Sequence, residues 1–215
     1  MKQIITLALT LIFTSVCLAQ NTWEMTKEQQ QEMQQKKAKP ELDPKYGVGS
    51  VPVVNGLIVF EKEISAPGKS KAQIMDIIRK TFQEWTDEPN QIVYEGGGKL
   101  SRLSYDNADE GVVAARFYEY LVFKNAALSL DRTDFDFQLV ATCSDGKAVV
   151  KMMRLRYVYE ANRPGGFNEP AEEIITDENC MNKARTKLNR MFGKFRKKTI
   201  DRKDYIFRQL EEVLK

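Results

Sequence analysis

Histidine is absent from the 215-residue chain, and this absence excludes several kinds of chemistry. Without an imidazole there is no Ser-His-Asp or Cys-His catalysis, no histidine-ligated metal and no imidazole proton shuttle. The glycine triplet at 96–98 is followed neither by Lys-Ser/Thr nor by a helix, which a phosphate-binding loop requires. The acidic stretch at 106–111 lacks the alternating ligands and distal Glu of a calcium loop. The sequence therefore predicts no metal site and no cofactor.

A strong excess of one charge is also missing. The chain has 33 basic and 30 acidic residues, a formal net charge of +3, which by itself does not indicate a nucleic-acid partner. Hydrophobic residues make up 42% and charged residues 29% of the chain, proportions typical of a soluble globular protein. The length suits one domain with an extension.

Apolar runs long enough to span a bilayer are absent as well, but a shorter one opens the chain. Lys2 precedes an apolar run from Ile4 to Leu18, and Cys17 and Ala19 are small residues at the −3 and −1 positions of a cut before Gln20. This pattern predicts a secretory signal peptide over residues 1–19. A bilayer span needs about 20 residues, so no transmembrane segment is expected after cleavage. The predicted localisation is the periplasm or cell envelope of a Gram-negative bacterium.

Cysteine is scarce, with three residues in the whole chain. Cys17 ends the apolar run, which leaves lipid anchoring as an alternative. Thr14 and Val16 occupy positions where lipoprotein processing prefers Leu and a small residue, which favours soluble export. Cys143 and Cys180 remain after cleavage, and an oxidising compartment permits either a disulfide or two buried thiols.

The rest of the chain divides into a polar, Gln-rich extension at 20–45 and a single domain at 46–215. Asn55-Gly56 predicts a turn before a strand at 57–64. Ser70 with Gln73 three residues later predicts a capping box that begins a helix ending near residue 85.

Strand patterns follow that helix. Alternation is cleanest where Phe135, Phe137 and Leu139 point one way while their neighbours are polar, as on a sheet with one buried face. The pattern stops near residue 166, helical fragments are expected over 171–191, and a terminal helix is expected over 199–214. The predicted strands cover 91–95, 99–105, 112–124, 133–143 and 147–159. This order predicts an α+β fold, an antiparallel sheet with helices on one face.

Three segments of the chain resemble a family of secreted bacterial proteins, the "domain of unknown function 4468" group. The segments are Val51–Ser70, Tyr120–Thr133 and Gly193–Asp201. The resemblance implies a curved antiparallel sheet backed by helices, similar to the TATA-binding protein. It supplies no catalytic residues, and it does not imply DNA binding, because a shared fold does not transfer function.

The open face of the predicted sheet is the first candidate site. Arg116, Tyr118 and Tyr120 alternate with apolar residues along one strand, and Arg154 and Arg156 are expected to join them or to pair with aspartates of the neighbouring strand. Arginine and tyrosine are enriched at binding surfaces because they combine a large area with a polar tip.

The second candidate is a basic segment near the end of the chain. Ten basic residues lie between Lys183 and Lys203 against one acid, Asp201. Such a patch attracts anions, and a speculative anion site is assigned to Lys194, Arg196, Lys197 and Lys198. The alternative is a loop whose charges are solvated or paired with acids elsewhere.

These patterns favour a non-enzymatic binding module whose partner is another envelope protein or an anionic ligand. Nucleic acid is not expected, since an exported protein rarely meets it. One alternative is a hydrolase using carboxylates between Asp131 and Asp136, which would need two acids about 5–10 Å apart in a concave pocket. Another is an assembly protein that pairs through a sheet edge.

Overall fold

The computed structural model describes residues 42–93, 96–127 and 129–215. The predicted signal peptide and most of the predicted Gln-rich extension lie outside the described residues. The described strands are β1 (Val53–Val54), β2 (Leu57–Ser65), β3 (Arg102–Asn107), β4 (Val112–Ala126), β5 (Ser129–Ser144), β6 (Lys147–Tyr159) and β7 (Phe167–Pro170). The described helices are α1 (Lys71–Trp85), α2 (Glu172–Ile175), α3 (Asp177–Cys180) and α4 (Gly193–Leu214).

The strands form one antiparallel sheet in the order β1-β2-β6-β5-β4-β3. Strand β6 pairs with β2 along its first half and with β7 along its second half, so two strands share that side of β6. On the far side of the sheet, the Ile92 amide donates to the Tyr118 carbonyl oxygen at 2.8 Å and extends the edge beyond β3. The sheet is open, with β1 and β3 at its edges.

One face of the sheet is buried beneath α1 and α4. Phe135, Phe137 and Leu139 of β5 are at most 1% exposed on this face, as the alternation predicts. Ile78 of α1 and Leu210 of α4 are fully buried against them in the same core. Burial of a large apolar side chain contributes about 1.5–3 kcal/mol, so this one-sided core holds the helices on one face. The α+β prediction is confirmed.

Two local sequence signals form as predicted. Asn55 and Gly56 both adopt positive φ, 52° and 81°, as a tight turn between antiparallel strands requires. The Ser70 hydroxyl accepts from the Gln73 amide, and the Gln73 side chain accepts from the Ser70 amide, which completes the capping box of α1.

Several predicted elements differ from those in the structure. Helix α4 begins at Gly193 rather than at 199, because Phe195 and Thr199 face the core and extend the buried stripe through a basic stretch. Strand β7 forms after residue 166, where no strand was expected, because its four residues are too few to show alternation. Residues 91 and 93 form isolated bridges rather than a full strand.

Both cysteines in the described residues are free and buried thiols. Burial raises the pKa of Cys143 and of Cys180 to about 11, so neither thiol ionises readily at neutral pH. Within the described part of the chain, no helix is long and apolar enough to cross a membrane.

Candidate functional site

The face of the sheet opposite the helices carries the first predicted site. On β4, Arg116 is exposed and Tyr118 and Tyr120 are half-buried, while the intervening Phe117 and Glu119 are buried. This alternation arises because successive side chains of a strand point to opposite faces. The arginine and the two tyrosines therefore form one row on the open face.

Each member of the row contacts a charged side chain. The Arg116 guanidinium binds Asp136 of β5 through two hydrogen bonds, from Nε at 2.9 Å and from Nη2 at 2.6 Å. The same guanidinium lies 4.6 Å from the centre of the Tyr118 ring, and Arg132 lies 3.6 Å from that of Tyr120. Cation–π contacts of this kind are worth about 0.5–1 kcal/mol when exposed, so they help to order the row.

Arg156 does not pair with an aspartate, so one of the two alternatives for this residue is wrong. Its Nη1 donates to the carbonyl oxygen of Asn168 at 2.9 Å and to the Asn168 Oδ1 at 2.6 Å. The short strand β7, which the sequence did not predict, supplies this partner. Arg156 therefore fastens β7 to the edge of the sheet.

Arg154 lies at a β-bulge, where the strand period is broken. Asp136 is opposite Arg156 and Gln138 is opposite Met153, so two residues of β6 face Phe137 alone. Arg154 has φ of 56°, in the left-handed region that non-glycine residues rarely adopt. Arg154 and Arg156 are both exposed on either side of the buried Leu155, so the two arginines share the open face, and the bulge interrupts the alternation before Arg154.

The bulge opens a pocket of about 280 Å³ on the open face. Three arginines from three strands, Arg102, Arg116 and Arg154, share its lining with a single acid, Asp136. The remaining lining residues are Ser104, Phe137 and Gln138. The sequence did not reveal Arg102, Ser104 or Gln138 as site residues, although alternation along β3 and β5 could have placed them on this face.

The basic segment splits into two groups. Lys194 donates to both carboxylate oxygens of Asp131, at 2.9 and 2.7 Å, and to the Tyr159 hydroxyl at 2.9 Å. Arg196 is completely buried and binds Asp177 at 2.6 Å. Lys197 and Lys198 are exposed, with the Lys197 ammonium 5.5 Å from the centre of the Tyr46 ring. All four lie on α4 rather than in a loop, and two of them are engaged in internal contacts.

The three carboxylates considered for hydrolysis are divided between the two faces. Asp131 points toward α4 and its lysine, whereas Asp134 and Asp136 lie on the open face. Among the described residues, no group of three or more acidic or cysteine side chains could hold a metal ion.

Asp134 gives a pH-dependent prediction. Partial burial raises its pKa, an effect that the positive charge of Arg132 offsets in part. A carboxyl whose pKa is higher in the folded state favours the folded state at low pH. This contribution is lost as the pH rises above about 4, the pKa of an aspartate in the unfolded chain, and through the higher pKa of the folded state. Asp134→Asn should therefore raise the melting temperature at pH 7 and change it little at pH 3.

Thermal unfolding followed by circular dichroism at the two pH values measures this difference. Asp109→Asn is a matched control, because Asp109 is exposed in the turn between β3 and β4. A lower melting temperature of Asp134→Asn at pH 7 would contradict the expected sign.

Comparisons with known proteins identify the family and the fold of the chain. Residues 60–158 match a family model described as "Domain of unknown function (DUF4468) with TBP-like fold". A solved DUF4468 family protein from Bacteroides ovatus ATCC 8483 is 37% identical, with a TM-score of 0.70 over 80% of this chain and 94% of that chain. A TBP-like protein from Parabacteroides distasonis ATCC 8503 is 17% identical, with a TM-score of 0.57 over 76% of this chain and 96% of that one. No curated protein matches the chain.

Proposed function

We propose that this chain, which belongs to the DUF4468 family, is a non-enzymatic binding module that uses the open face of its sheet. One observation supports the proposal most strongly: helices pack on one face, and the opposite face presents an ordered arginine–tyrosine row beside a concave pocket. Such surfaces suit recognition, because arginine and tyrosine offer large contact areas at modest entropic cost.

The arrangement of carboxylates also favours binding over hydrolysis. A pair of acids must approach within about 5–10 Å in one pocket to act on a glycosidic bond. Asp131 lies on the opposite face and binds Lys194, whereas Asp134 and Asp136 share the open face. Asp136 is the one acid in the lining of the open-face pocket, and it is bonded to Arg116.

The proposed location is the periplasm or cell envelope, reached through the signal peptide predicted at residues 1–19. Export would bring the open face into contact with envelope proteins or with anionic groups of envelope molecules. These two ligand classes remain the candidates for the module.

Site-specific photo-crosslinking tests the use of the open face. The photo-crosslinker p-benzoylphenylalanine would replace Tyr118 or Tyr120 on the open face, and Tyr205 on α4 as a control. Tyr205 is 39% exposed and lies on the helical layer, so it reports contacts of the other side of the molecule. Irradiation in an envelope extract of Bacteroides ovatus, the source of the 37%-identical relative, should yield adducts from the open-face positions and not from the control.

The same experiment separates the alternatives. Adducts at twice the mass of the chain would favour an assembly protein that pairs with its own copies. Adducts from Tyr205 alone would contradict the use of the open face. Circular dichroism of each labelled protein would verify that the fold is retained.

A further inference from the structure

We propose that the pocket at the β6 bulge binds a phosphate monoester group through Arg102, Arg116 and Arg154. The inference rests on the proposed function, because it gives the ligand class of the same open face. The pocket is formed where β3, β4 and β6 each contribute one arginine.

The charge of the lining favours a dianion. Three guanidinium groups face one carboxylate, and Asp136 is already bonded to Arg116, so the lining retains two positive charges. Arg102 and Arg116 are also direct partners in the β3–β4 pairing. Like charges in this position repel one another, so a bound dianion would relieve the repulsion.

Two of the arginines are available to a ligand. Arg102 is exposed and donates one hydrogen bond, from Nη1 to the Leu100 carbonyl oxygen at 3.2 Å. Among the residues that the structure describes, no hydrogen bond or ion pair engages the exposed side chain of Arg154. Their remaining donors therefore have no protein acceptor in that part of the chain.

The backbone at Arg154 is consistent with a functional position. Its left-handed conformation in the middle of a long strand is strained for a side chain with a Cβ, whereas glycine adopts it freely. Bulges of this kind redirect side chains and occur often beside binding and active sites. Here the bulge places the Arg154 side chain in the pocket lining.

The geometry of the donors favours phosphate over carboxylate. Guanidinium groups bind oxyanions through forked pairs of hydrogen bonds. The donors of Arg154, the remaining donors of Arg102 and the Nη1 of Arg116 come from three strands and suit a group with three acceptor oxygens. Ser104 and Gln138 add neutral polar groups, with the Gln138 amide 3.4 Å from the Ser104 hydroxyl. A volume of about 280 Å³ lies near the lower end of small-molecule sites and has room for such a headgroup.

Isothermal titration calorimetry of the full chain with glycerol phosphate tests the inference at constant ionic strength and pH 7.5. Arg102→Gln and Arg154→Gly should each weaken binding at least about tenfold, as expected for loss of charge-assisted hydrogen bonds. Arg154→Gly should do so without lowering the melting temperature, because it removes the backbone strain. Asp136→Asn should strengthen binding several-fold, since it removes the one negative charge from the lining.

Matched measurements make the test specific. Arg163→Gln removes one exposed positive charge elsewhere and should leave affinity unchanged. Acetate should bind much more weakly than glycerol phosphate, and affinity for glycerol phosphate should fall from pH 7.5 to pH 5 as the phosphate, with a second pKa near 6, loses its second charge. Vesicles with and without phosphatidic acid separate a lipid headgroup from a soluble phosphate ester, either of which would agree with the inference.

Several results would overturn the inference. The first is equal affinity for glycerol phosphate in the original chain, Arg154→Gly and Asp136→Asn. The second is acetate binding as tight as that of glycerol phosphate. The third is loss of glycerol phosphate binding in a Lys197→Gln/Lys198→Gln variant. If phosphate does not bind but photo-crosslinking still occurs at Tyr118 and Tyr120, the ligand class fails while the proposed use of the open face stands.

Discussion

Replacing Arg196 with alanine is expected to destabilise the fold by about 3–5 kcal/mol. The guanidinium is completely buried and binds Asp177, the carbonyl oxygen of Ile175 at 2.9 Å and that of Tyr46 at 2.9 Å. Removal of this one side chain leaves the buried Ile175 carbonyl and the partly buried acceptors of Tyr46 and Asp177 without a donor. A buried group left unsatisfied costs about 1–3 kcal/mol. The total is a large share of the stability of a typical domain, about 5–15 kcal/mol.

Urea unfolding of the variant and of Lys198→Ala provides the measurement. Lys198 is exposed two positions later on the same helix, so its loss should change the free energy of unfolding by no more than about 0.5 kcal/mol. Arg196→Lys should recover only part of the loss, because an ammonium cannot reproduce the planar fork of donors. Equal effects of Arg196→Ala and Lys198→Ala would refute the structural role assigned to Arg196.

Hydrogen exchange adds a local test of the same contact. Arg196 also donates to the Gly47 carbonyl oxygen and, at 2.9 Å, to the Ser50 hydroxyl, so it holds the segment before β1 against α4. Relative to the original chain, Arg196→Ala should therefore raise the exchange rates of the amides of residues 46–50 more than those of α1. Arg196 contacts α1 through no described hydrogen bond.

Arg196 shows why the basic segment was difficult to interpret from the sequence. Its charge pointed to an anion site, but its position in α4 is set by helical spacing. The buried Ile200 lies four residues after Arg196, so the apolar stripe of the terminal helix, extended backward, passes through it. The pattern alone could have placed Arg196 on the buried face, but the acceptors that it binds come from segments distant in sequence, which no local pattern identifies.

The sheet was more predictable than the pocket within it. Alternation depends on neighbours along one strand, so the open-face positions of Arg116, Tyr118 and Tyr120 followed from local sequence. The pocket depends on the pairing of Arg102 with Arg116 and on the bulge at Arg154. Register and bulges are set by tertiary packing between strands, and no local pattern near Arg154 indicated the extra residue.

The second large effect is expected at Glu119, a buried acid in an inward-facing position of β4. It is 1% exposed, and its carboxylate accepts from Arg202 of α4 through two hydrogen bonds of 2.8 Å. Asn90 and Gln91 donate to it at 3.1 and 3.2 Å, so the pair also anchors the segment beside β4. Arg202→Ala should cost about 3–5 kcal/mol, because it leaves a buried carboxylate without its cation.

A double-mutant cycle distinguishes the pair from its individual members. Removing both charges, in Glu119→Leu/Arg202→Leu, should cost less than Glu119→Leu or Arg202→Leu alone, since desolvation of two charges cancels much of their attraction in a buried pair. Glu119→Gln, which retains the shape and one acceptor oxygen, should be milder than Glu119→Ala. If the loss of unfolding free energy in the double variant instead equals the sum of the losses in the two single variants, the two residues act independently. Arg202 would then hold α4 through Glu88, at 3.2 Å, rather than through Glu119.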